Sequence, residues 1–218
     1  MTVLAVAHRA GNDLAALAAA RALGAHVLEA DVHTGAGGVV LHHLARLGPL
    51  PWSLDQPYRR RWRLVARSVR QLGLDELLDA AAETGLLLDL KSPDVGPAAA
   101  AIVAARTSTG PVLVCGNGRA MAAFRGVPDV HRLLSAGDAT ELAQVQEALR
   151  SGPPADGVSV HVSLLTPAVV ERLLARVPRV LAWPVNDRRT LAVLLDRGVN
   201  GVISDDADVL RAVVALGR

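Results

Sequence analysis

Two pairs of charged residues, each spaced i and i+2, stand near the ends of apolar runs. Glu29 and Asp31 lie in HVLEADV, and Asp89 and Lys91 lie in GLLLDLK. Residues two apart on a strand point to the same side, so each pair faces one volume. Neighbouring carboxylates repel each other unless a cation binds between them, which predicts a hard-cation site. The alternatives are solvated acids at a strand end, and a Lys91 that only neutralises Asp89 or Glu29.

Cationic and imidazole side chains occur at comparable places. His8 and Arg9 directly follow the apolar run TVLAVA, where histidine can transfer a proton and arginine can bind phosphate with two hydrogen bonds. Lys91 is the only lysine of the chain, and a compact ammonium suits a phosphate oxygen. His42 and His43 follow the second apolar run, and one of them could reach the same volume.

The elements that must position these residues alternate regularly along the chain. We predict strands at 3–8, 26–32, 85–91, 111–116, 131–136, 157–162, 179–185 and 200–204. Helices are predicted at 12–23, 74–83, 94–106, 118–124, 138–150, 166–176, 187–197 and 206–216. Such alternation indicates a parallel sheet with crossover helices. Eight units favour a closed (β/α)₈ TIM barrel, with its site at the carboxyl ends of the strands. An open doubly wound sheet is the rival, although the first turn, HRAGN, lacks a GxGxxG pattern.

The alternation is interrupted once, between about 34 and 73. This stretch contains VVLHH and then GPLPWSLDQPYRRRWR, and it is too long for an ordinary connection. We predict a short insertion after the second strand that covers the substrate. A surface excursion with no role is the alternative.

The composition narrows the class of protein. Half of the residues are hydrophobic, which suits a single domain over 1–218. Cys115 is the only cysteine, so an internal disulfide and a cysteine-based metal site are excluded. The net charge is +2 and the arginines are dispersed, apart from a cluster at 59–63, so we expect no nucleic-acid partner.

The same composition bears on the compartment. No apolar run approaches the roughly 20 residues of a membrane span, so we expect no stable membrane insertion. The first residues lack the basic region of a signal peptide, and we expect a cytoplasmic protein. The oligomeric state is left open.

Several motifs, taken in order, resemble those of the glycerophosphodiester phosphodiesterase family. They are AHRAGN at 7–12, LEADV at 28–32, LLLDLK at 86–91, AWPVND at 182–187 and RGVNGVISDDAD at 197–208. The family pattern also has a histidine about fourteen residues after the glutamate of the second strand, and this position is His43. The resemblance therefore extends along the chain from residue 7 to about 208.

The resemblance implies a (β/α)₈ barrel enzyme that hydrolyses glycerophosphodiesters or related small phosphodiesters. It implies one divalent cation, Mg²⁺ or Ca²⁺ with Mn²⁺ as a further option. The implied roles are metal ligand for Glu29, Asp31 and Asp89, acid/base for His8 and His43, and substrate contact for Arg9, Lys91 and Trp183.

The chain departs from the family pattern at four places. The segment after His8-Arg9 is short and lacks a glutamate, Asp89 replaces a glutamate, Leu44 follows His43, and Cys115-Gly116 ends the fourth strand. The missing glutamate and the change to Asp89 favour the alternative of a weakened or non-catalytic phosphate- or metal-binding barrel. The residues that match the family pattern oppose it, namely His8, Arg9, Glu29, Asp31, His43 and Lys91.

A third hypothesis is a barrel lyase or aldolase with a Schiff base at Lys91. It needs a lysine of lowered pKa, whereas nearby carboxylates raise that pKa. The headgroup, the attacking oxygen (water or a substrate hydroxyl) and the division of labour between the histidines are left open.

Overall fold

The computed structural model of the protein describes residues 2–35, 37–46, 52–55, 63–66, 70–106 and 110–217. Its strands are β1 (Leu4–Ala7), β2 (Val27–Gly35), β3 (Gly38–Leu41), β4 (Leu44–Arg46), β5 (Trp52–Asp55), β6 (Arg63–Ala66), β7 (Leu72–Gly73), β8 (Gly85–Leu90), β9 (Val112–Gly116), β10 (Val130–Ala136), β11 (Gly157–His161), β12 (Val180–Trp183) and β13 (Gly201–Ser204). Its helices are α1 (Leu14–Ala22), α2 (Leu74–Ala81), α3 (Val95–Ala104), α4 (Gly118–Ala122), α5 (Ala139–Ser151), α6 (Pro167–Leu174), α7 (Arg188–Asp196) and α8 (Ala207–Leu216).

Eight parallel strands close into a barrel. The order is β1-β13-β12-β11-β10-β9-β8-β2, and β1 also pairs with β2, which closes the ring. A helix follows each barrel strand before the next barrel strand begins. The predicted (β/α)₈ barrel is therefore confirmed, and the open sheet is wrong.

Side chains that alternate along the barrel strands form two apolar cores. In β8, Leu86, Leu88 and Leu90 belong to the large core that includes the helices, whereas Leu87 belongs to a small core inside the barrel. The inner core consists of Val6, Val27, Leu87, Leu113, Cys115, Leu133, Leu181 and Ile203. Because inward positions recur every second residue, the next inward position on each strand lies at the carboxyl-terminal mouth.

The helices begin at that mouth, and a side chain at the N-cap accepts a hydrogen bond in six of the eight described helices. Thr166 accepts a hydrogen bond from the Val169 N–H at 3.4 Å, and Pro167 is the first residue of α6, as the sequence predicts. The first helix begins later than the predicted residue 12. A 3₁₀ turn occupies Ala10–Asn12, and Asp13 then caps α1.

The insertion after the second strand has a regular structure where it is described. β3 pairs antiparallel with the end of β2, so β2 continues to Gly35 instead of ending at residue 32. β7 pairs with β3, while β4, β5 and β6 form a separate antiparallel sheet. The arginines at 59–61 lie outside the described residues. None of the described helices is long and apolar enough to cross a bilayer.

Candidate active site

Three carboxylates meet inside the barrel mouth because of the register between β2 and β8. Asp31 lies directly opposite Asp89, and Glu29 is the preceding inward residue of β2. One oxygen from each of the three lies within 4.8 Å of the others. Glu29 is 3% exposed and Asp31 is 1% exposed, so the interpretation as solvated acids is wrong.

The electrostatics of this cluster differ between its members. Burial raises the pKa of Glu29 to about 8, and the neighbouring charge of Asp31 adds to the shift. Burial also acts on Asp31, but the Lys91 ammonium and a hydrogen bond from Asn12 Nδ2 at 2.8 Å leave its pKa lowered. A buried carboxylate that its neighbours repel fits a site for a divalent cation, and an all-oxygen set suits Mg²⁺, Ca²⁺ or Mn²⁺.

Lys91 follows β8 directly and lies between two of these acids. Its Nζ is 2.7 Å from Asp31 Oδ1 and donates a hydrogen bond to Asp89 Oδ2. Burial lowers the pKa of Lys91, but the charges of Asp31 and Asp89 outweigh this effect and raise it. A raised pKa disfavours the Schiff-base hypothesis. An ammonium has three N–H donors, and among the described residues only these two carboxylates accept from it, so one donor can serve a ligand.

His8 follows β1 and is oriented by Asp205, the residue that follows the last strand of the barrel. Its Nδ1 is 3.0 Å from Asp205 Oδ1, and its Nε2 is 4.0 Å from Glu29 Oε2. Burial lowers the pKa of His8, but the hydrogen bond to Asp205 and the charges of Glu29 and Asp205 leave it raised. Asn186 holds Asp205 in place, because its Nδ2 donates to Asp205 Oδ2 at 3.2 Å and its Oδ1 accepts from the Asp205 N–H at 2.9 Å.

Arg9 contributes both backbone and side chain to the cluster. Its backbone is left-handed with φ of 57°, a conformation that is uncommon for residues other than glycine. The Arg9 N–H donates to Glu29 Oε2 at 2.5 Å, and its Nε lies 3.9 Å from Asp31 Oδ2. The backbone thus anchors one acid while the guanidinium lies beside another.

The two adjacent histidines of the insertion have different surroundings. The His42 ring stacks on the His33 ring, with centroids 4.1 Å apart and planes at 8°. His43 is near enough to Asp31, Arg9 and Lys91 for their charges to act on its pKa, which burial lowers overall. Its Nδ1 is buried and has no hydrogen-bond partner among the described residues.

A cavity of about 630 Å³ opens at the barrel mouth beside this cluster. Its near wall consists of His8, Arg9, Glu29, Asp31, Asp89 and Lys91, and its floor includes Leu87, Cys115 and Ile203. Its far wall consists of Asn117, Ser135, Gly137, Glu141, Ser159, His161, Trp183 and Pro184. All of the predicted site residues line the cavity except His43. Trp183 meets the His161 ring edge-on, with centroids 5.2 Å apart.

Sequence reasoning did not assign a role to Asp205, Asn186 or Glu141. Asp205 stands in the run Ser204–Asp206, where the next acid caps α8, so a second acid there is not distinctive. Closure of a barrel requires the first strand to pair with the last one. This pairing of β1 with β13 places residue 205 beside residue 8, and it could have identified Asp205.

A barrel mouth with buried carboxylates, cationic side chains and histidines has the groups that metal-assisted hydrolysis of phosphoric esters uses. The model of the glycerophosphoryl diester phosphodiesterase family matches residues 96–209, more than half of the chain. The chain belongs to this family and is therefore a phosphoric diester hydrolase by class. The matched range includes Trp183 but none of the other predicted site residues, which precede it.

Solved structures support the fold independently. A phosphodiesterase from Oleispira antarctica, in complex with the product sn-glycerol-3-phosphate, is 20% identical with a TM-score of 0.73 and covers 97% of this chain and 96% of its own. A glycerophosphodiester phosphodiesterase from Thermotoga maritima is 18% identical with a TM-score of 0.74 and covers 99% of both chains. No curated protein sequence matches the chain.

Proposed function

We propose that the chain hydrolyses glycerophosphodiesters with the help of one divalent cation and of proton transfer by histidine. The observation that carries this proposal is the cluster of Glu29, Asp31 and Asp89, buried beside Lys91 and His8 at the mouth of the cavity. Asp89 still brings an oxygen into the cluster despite being shorter than glutamate, which disfavours the non-catalytic alternative.

The cationic groups of the near wall would bind the phosphodiester. Arg9 and the remaining donor of Lys91 can each reach an anionic oxygen, and together they neutralise charge that develops on the phosphoryl group. A divalent cation held by Glu29, Asp31 and Asp89 supplies Lewis-acid stabilisation to the same group when bound.

The histidines would handle the protons. Because Asp205 accepts a hydrogen bond at Nδ1 of His8, the proton moves at Nε2, on the side of Glu29. Asp205 fixes the ring orientation and stabilises the imidazolium form, so it is a positioning residue. His43 is the second candidate, since it lies near the charges of the cluster and its Nδ1 makes no bond to a described residue.

The expected products are glycerol 3-phosphate and a free alcohol. The Oleispira antarctica phosphodiesterase was solved with sn-glycerol-3-phosphate as its product, which supports this choice for the present chain. Glycerophosphodiesters are deacylated phospholipids, so the proposed reaction belongs to lipid metabolism.

The test is release of glycerol 3-phosphate from glycerophosphocholine by the purified protein. We expect release with Mg²⁺, Ca²⁺ or Mn²⁺, its loss in EDTA, and its return when the effective cation is added back. Release that persists in EDTA would contradict the metal dependence. No release with any of the three cations would contradict the proposed function.

A further inference from the structure

The far wall of the cavity differs from the near wall in charge. Among the described residues that line it, Glu141 is the single carboxylate, and neither lysine nor arginine contributes. Among the described residues, the lysine and the arginine that line the cavity, Lys91 and Arg9, belong to the near wall, where the phosphate would bind. With a divalent cation on Glu29, Asp31 and Asp89, the near wall would bind anions, whereas the far wall carries a negative charge, so the loaded cavity would be polarised.

Glu141 and Trp183 come together at one point of that wall. Glu141 Oε2 accepts a hydrogen bond from the Gly137 N–H at 2.6 Å. A methyl group built on Gly137 would lie 3.3 Å from this oxygen and 3.5 Å from Cη2 of Trp183. The carboxylate and the indole therefore flank the same small space, which is open because residue 137 is glycine.

Three other polar residues of this wall are engaged within the protein, namely Asn117, Ser135 and His161. Asn117 Oδ1 accepts from the Arg119 and Ala120 N–H groups, as the cap of α4. Ser135 Oγ accepts from the Gly116 N–H at 3.2 Å, and His161 Nδ1 is 2.7 Å from Ser163 Oγ. Glu141 thus carries the main unbalanced charge that faces a ligand.

The local structure does not require that charge. Glu141 is the third residue of α5, and its carboxylate accepts the hydrogen bond from the Gly137 N–H, just before the helix. The N-cap of the helix is Asp138, which accepts a hydrogen bond from the Glu141 N–H at 2.9 Å. Glutamine serves in this kind of reciprocal cap as well as glutamate does. The hydrogen bond to Gly137 needs only a carbonyl-type oxygen, and the first turn of α5 adds a modest preference for a negative charge.

We infer that the Glu141–Trp183 wall binds the alcohol half of the substrate and selects a cationic alcohol, with a quaternary or primary ammonium group. This inference rests on the proposed function and specifies its substrate class. A carboxylate attracts the ammonium, and an indole ring beside it adds a cation–π contribution. A diester whose phosphate lies at Arg9 and Lys91 would then match the polarity of the cavity from one wall to the other.

The experiment compares glycerophosphocholine with its neutral isostere, 3,3-dimethylbutyl glycerophosphate, in which carbon replaces the charged nitrogen. We expect Glu141→Gln to lower the ratio of kcat/KM for the charged over the neutral substrate by up to about fivefold, the upper end for one exposed charge pair. Glu76→Gln is the matched control, because Glu76 also caps a helix start, by accepting from the Gly73 N–H at 3.0 Å, but does not line the cavity. That variant should keep the wild-type ratio.

Binding separates this inference from the proposed function. The affinities of both compounds are measured by calorimetry on His43→Ala and on the double variant His43→Ala/Glu141→Gln. The ratio of the two affinities gives the charge selectivity without turnover. A wild-type protein that turns over neither compound, but binds the charged one about fivefold better through Glu141, would contradict the proposed function and support the inference. An equal loss of binding and turnover for both compounds in Glu141→Gln would assign Glu141 to the glycerol hydroxyls and would overturn the inference. An unchanged ratio of kcat/KM between the two compounds would overturn it as well.

Discussion

Lys91 is a compact ammonium held by Asp31 and Asp89, with one donor left for a ligand. Lys91→Arg keeps the charge, so the fold and metal binding should survive. The larger planar guanidinium would misplace the donor that reaches the phosphate, and a misplacement of this kind costs about 10²-fold in turnover. We therefore expect Lys91→Arg to lose most phosphodiesterase activity, measured as kcat/KM. A fully active variant would restrict Lys91 to a counter-charge role.

The two adjacent histidines provide a matched pair of variants. His43→Ala should lose at least about 10²-fold in turnover, the usual scale of general acid–base catalysis. His42→Ala should lose little, because that ring stacks on His33. Steady-state kinetics on both variants checks this expectation. The opposite pattern would shift the role to His42, and equal, mild effects would exclude both from proton transfer.

Glu29 and Asp31 should respond differently to removal of their charges. The pKa of Glu29 in the folded protein is about 8 against an ordinary 4.5, so the metal-free folded state holds the proton more tightly than the unfolded state. In EDTA, the free energy of unfolding should therefore fall as pH rises from about 4.5 to 8. Glu29→Gln should remove this loss and melt at the same or a higher temperature at pH 8.

Asp31→Asn is the contrasting variant. The pKa of Asp31 is lowered in the folded state, so its charge contributes stability above its ordinary value of 3.8, and this stability disappears as pH falls. In EDTA at pH 7, Asp31→Asn should lower the melting temperature, whereas both variants should weaken divalent-cation binding in calorimetry. A large destabilisation by Glu29→Gln would instead indicate a structural ion pair.

The spacing of charged residues along the sequence was sufficient to predict four members of the candidate site, namely Glu29, Asp31, Asp89 and Lys91. Pairs at i and i+2 identified the acids and Lys91, because side-chain direction on a strand is a local property. Asp205 was not identified, since its role depends on a neighbour 197 positions away in the sequence.

At the scale of elements, the last residue of β9 supports the acid of β8. Gly116 has φ of +93°, and a Cβ there would overlap Asp89 Oδ1 and lie 2.6 Å from the Leu90 carbonyl oxygen. We expect Gly116→Ala to destabilise the fold by about 1–3 kcal/mol and to weaken metal binding about tenfold through displacement of Asp89. Denaturant unfolding and calorimetry measure the two effects.

Gly126→Ala is the control for backbone strain. Gly126 has φ of +83°, but a Cβ added at this position would meet no atom of the described residues within 4 Å. This variant should cost about 1 kcal/mol from the left-handed backbone and leave metal affinity as in the wild type. Equal metal affinities for the two variants would contradict a role for Gly116 in placing Asp89.

The barrel strands were predictable as elements, whereas the strands of the insertion were not. Continuous apolar runs such as Leu86–Leu88 indicate strands buried on both faces. β3 to β7 are short and antiparallel, and their pairing depends on partners more than on composition. For the same reason the end of β2 was predicted three residues early.

At the scale of the whole molecule, closure of the barrel assembles the site from both ends of the chain. β1 pairs with β13 in the register Val6 to Ile203 and Ala7 to Ser204, which places His8 beside Asp205. An open sheet would separate these two residues. The orientation of His8 is thus a consequence of ring closure, and it should be lost together with the global fold.

The insertion is the part of the molecule that the barrel does not need for closure. β3 and β7 are adjacent at Leu41 and Leu72, so the chain between them leaves and returns at nearly the same place. β4, β5 and β6 pair only with one another among the described strands. Replacement of residues 44–69 by a short Gly/Ser linker should therefore keep cooperative unfolding and divalent-cation binding.

The same replacement decides between a substrate cover and an excursion without a role. His43 stays in place, so proton transfer is not removed directly. If the insertion excludes water from the bound diester, its removal should lower kcat/KM by about tenfold or more while the affinity for the cation, measured by calorimetry, stays constant. Unchanged kcat/KM would identify residues 44–69 as an excursion with no role in the reaction. A loss of cation affinity would show instead that the insertion supports β2 and its two acids.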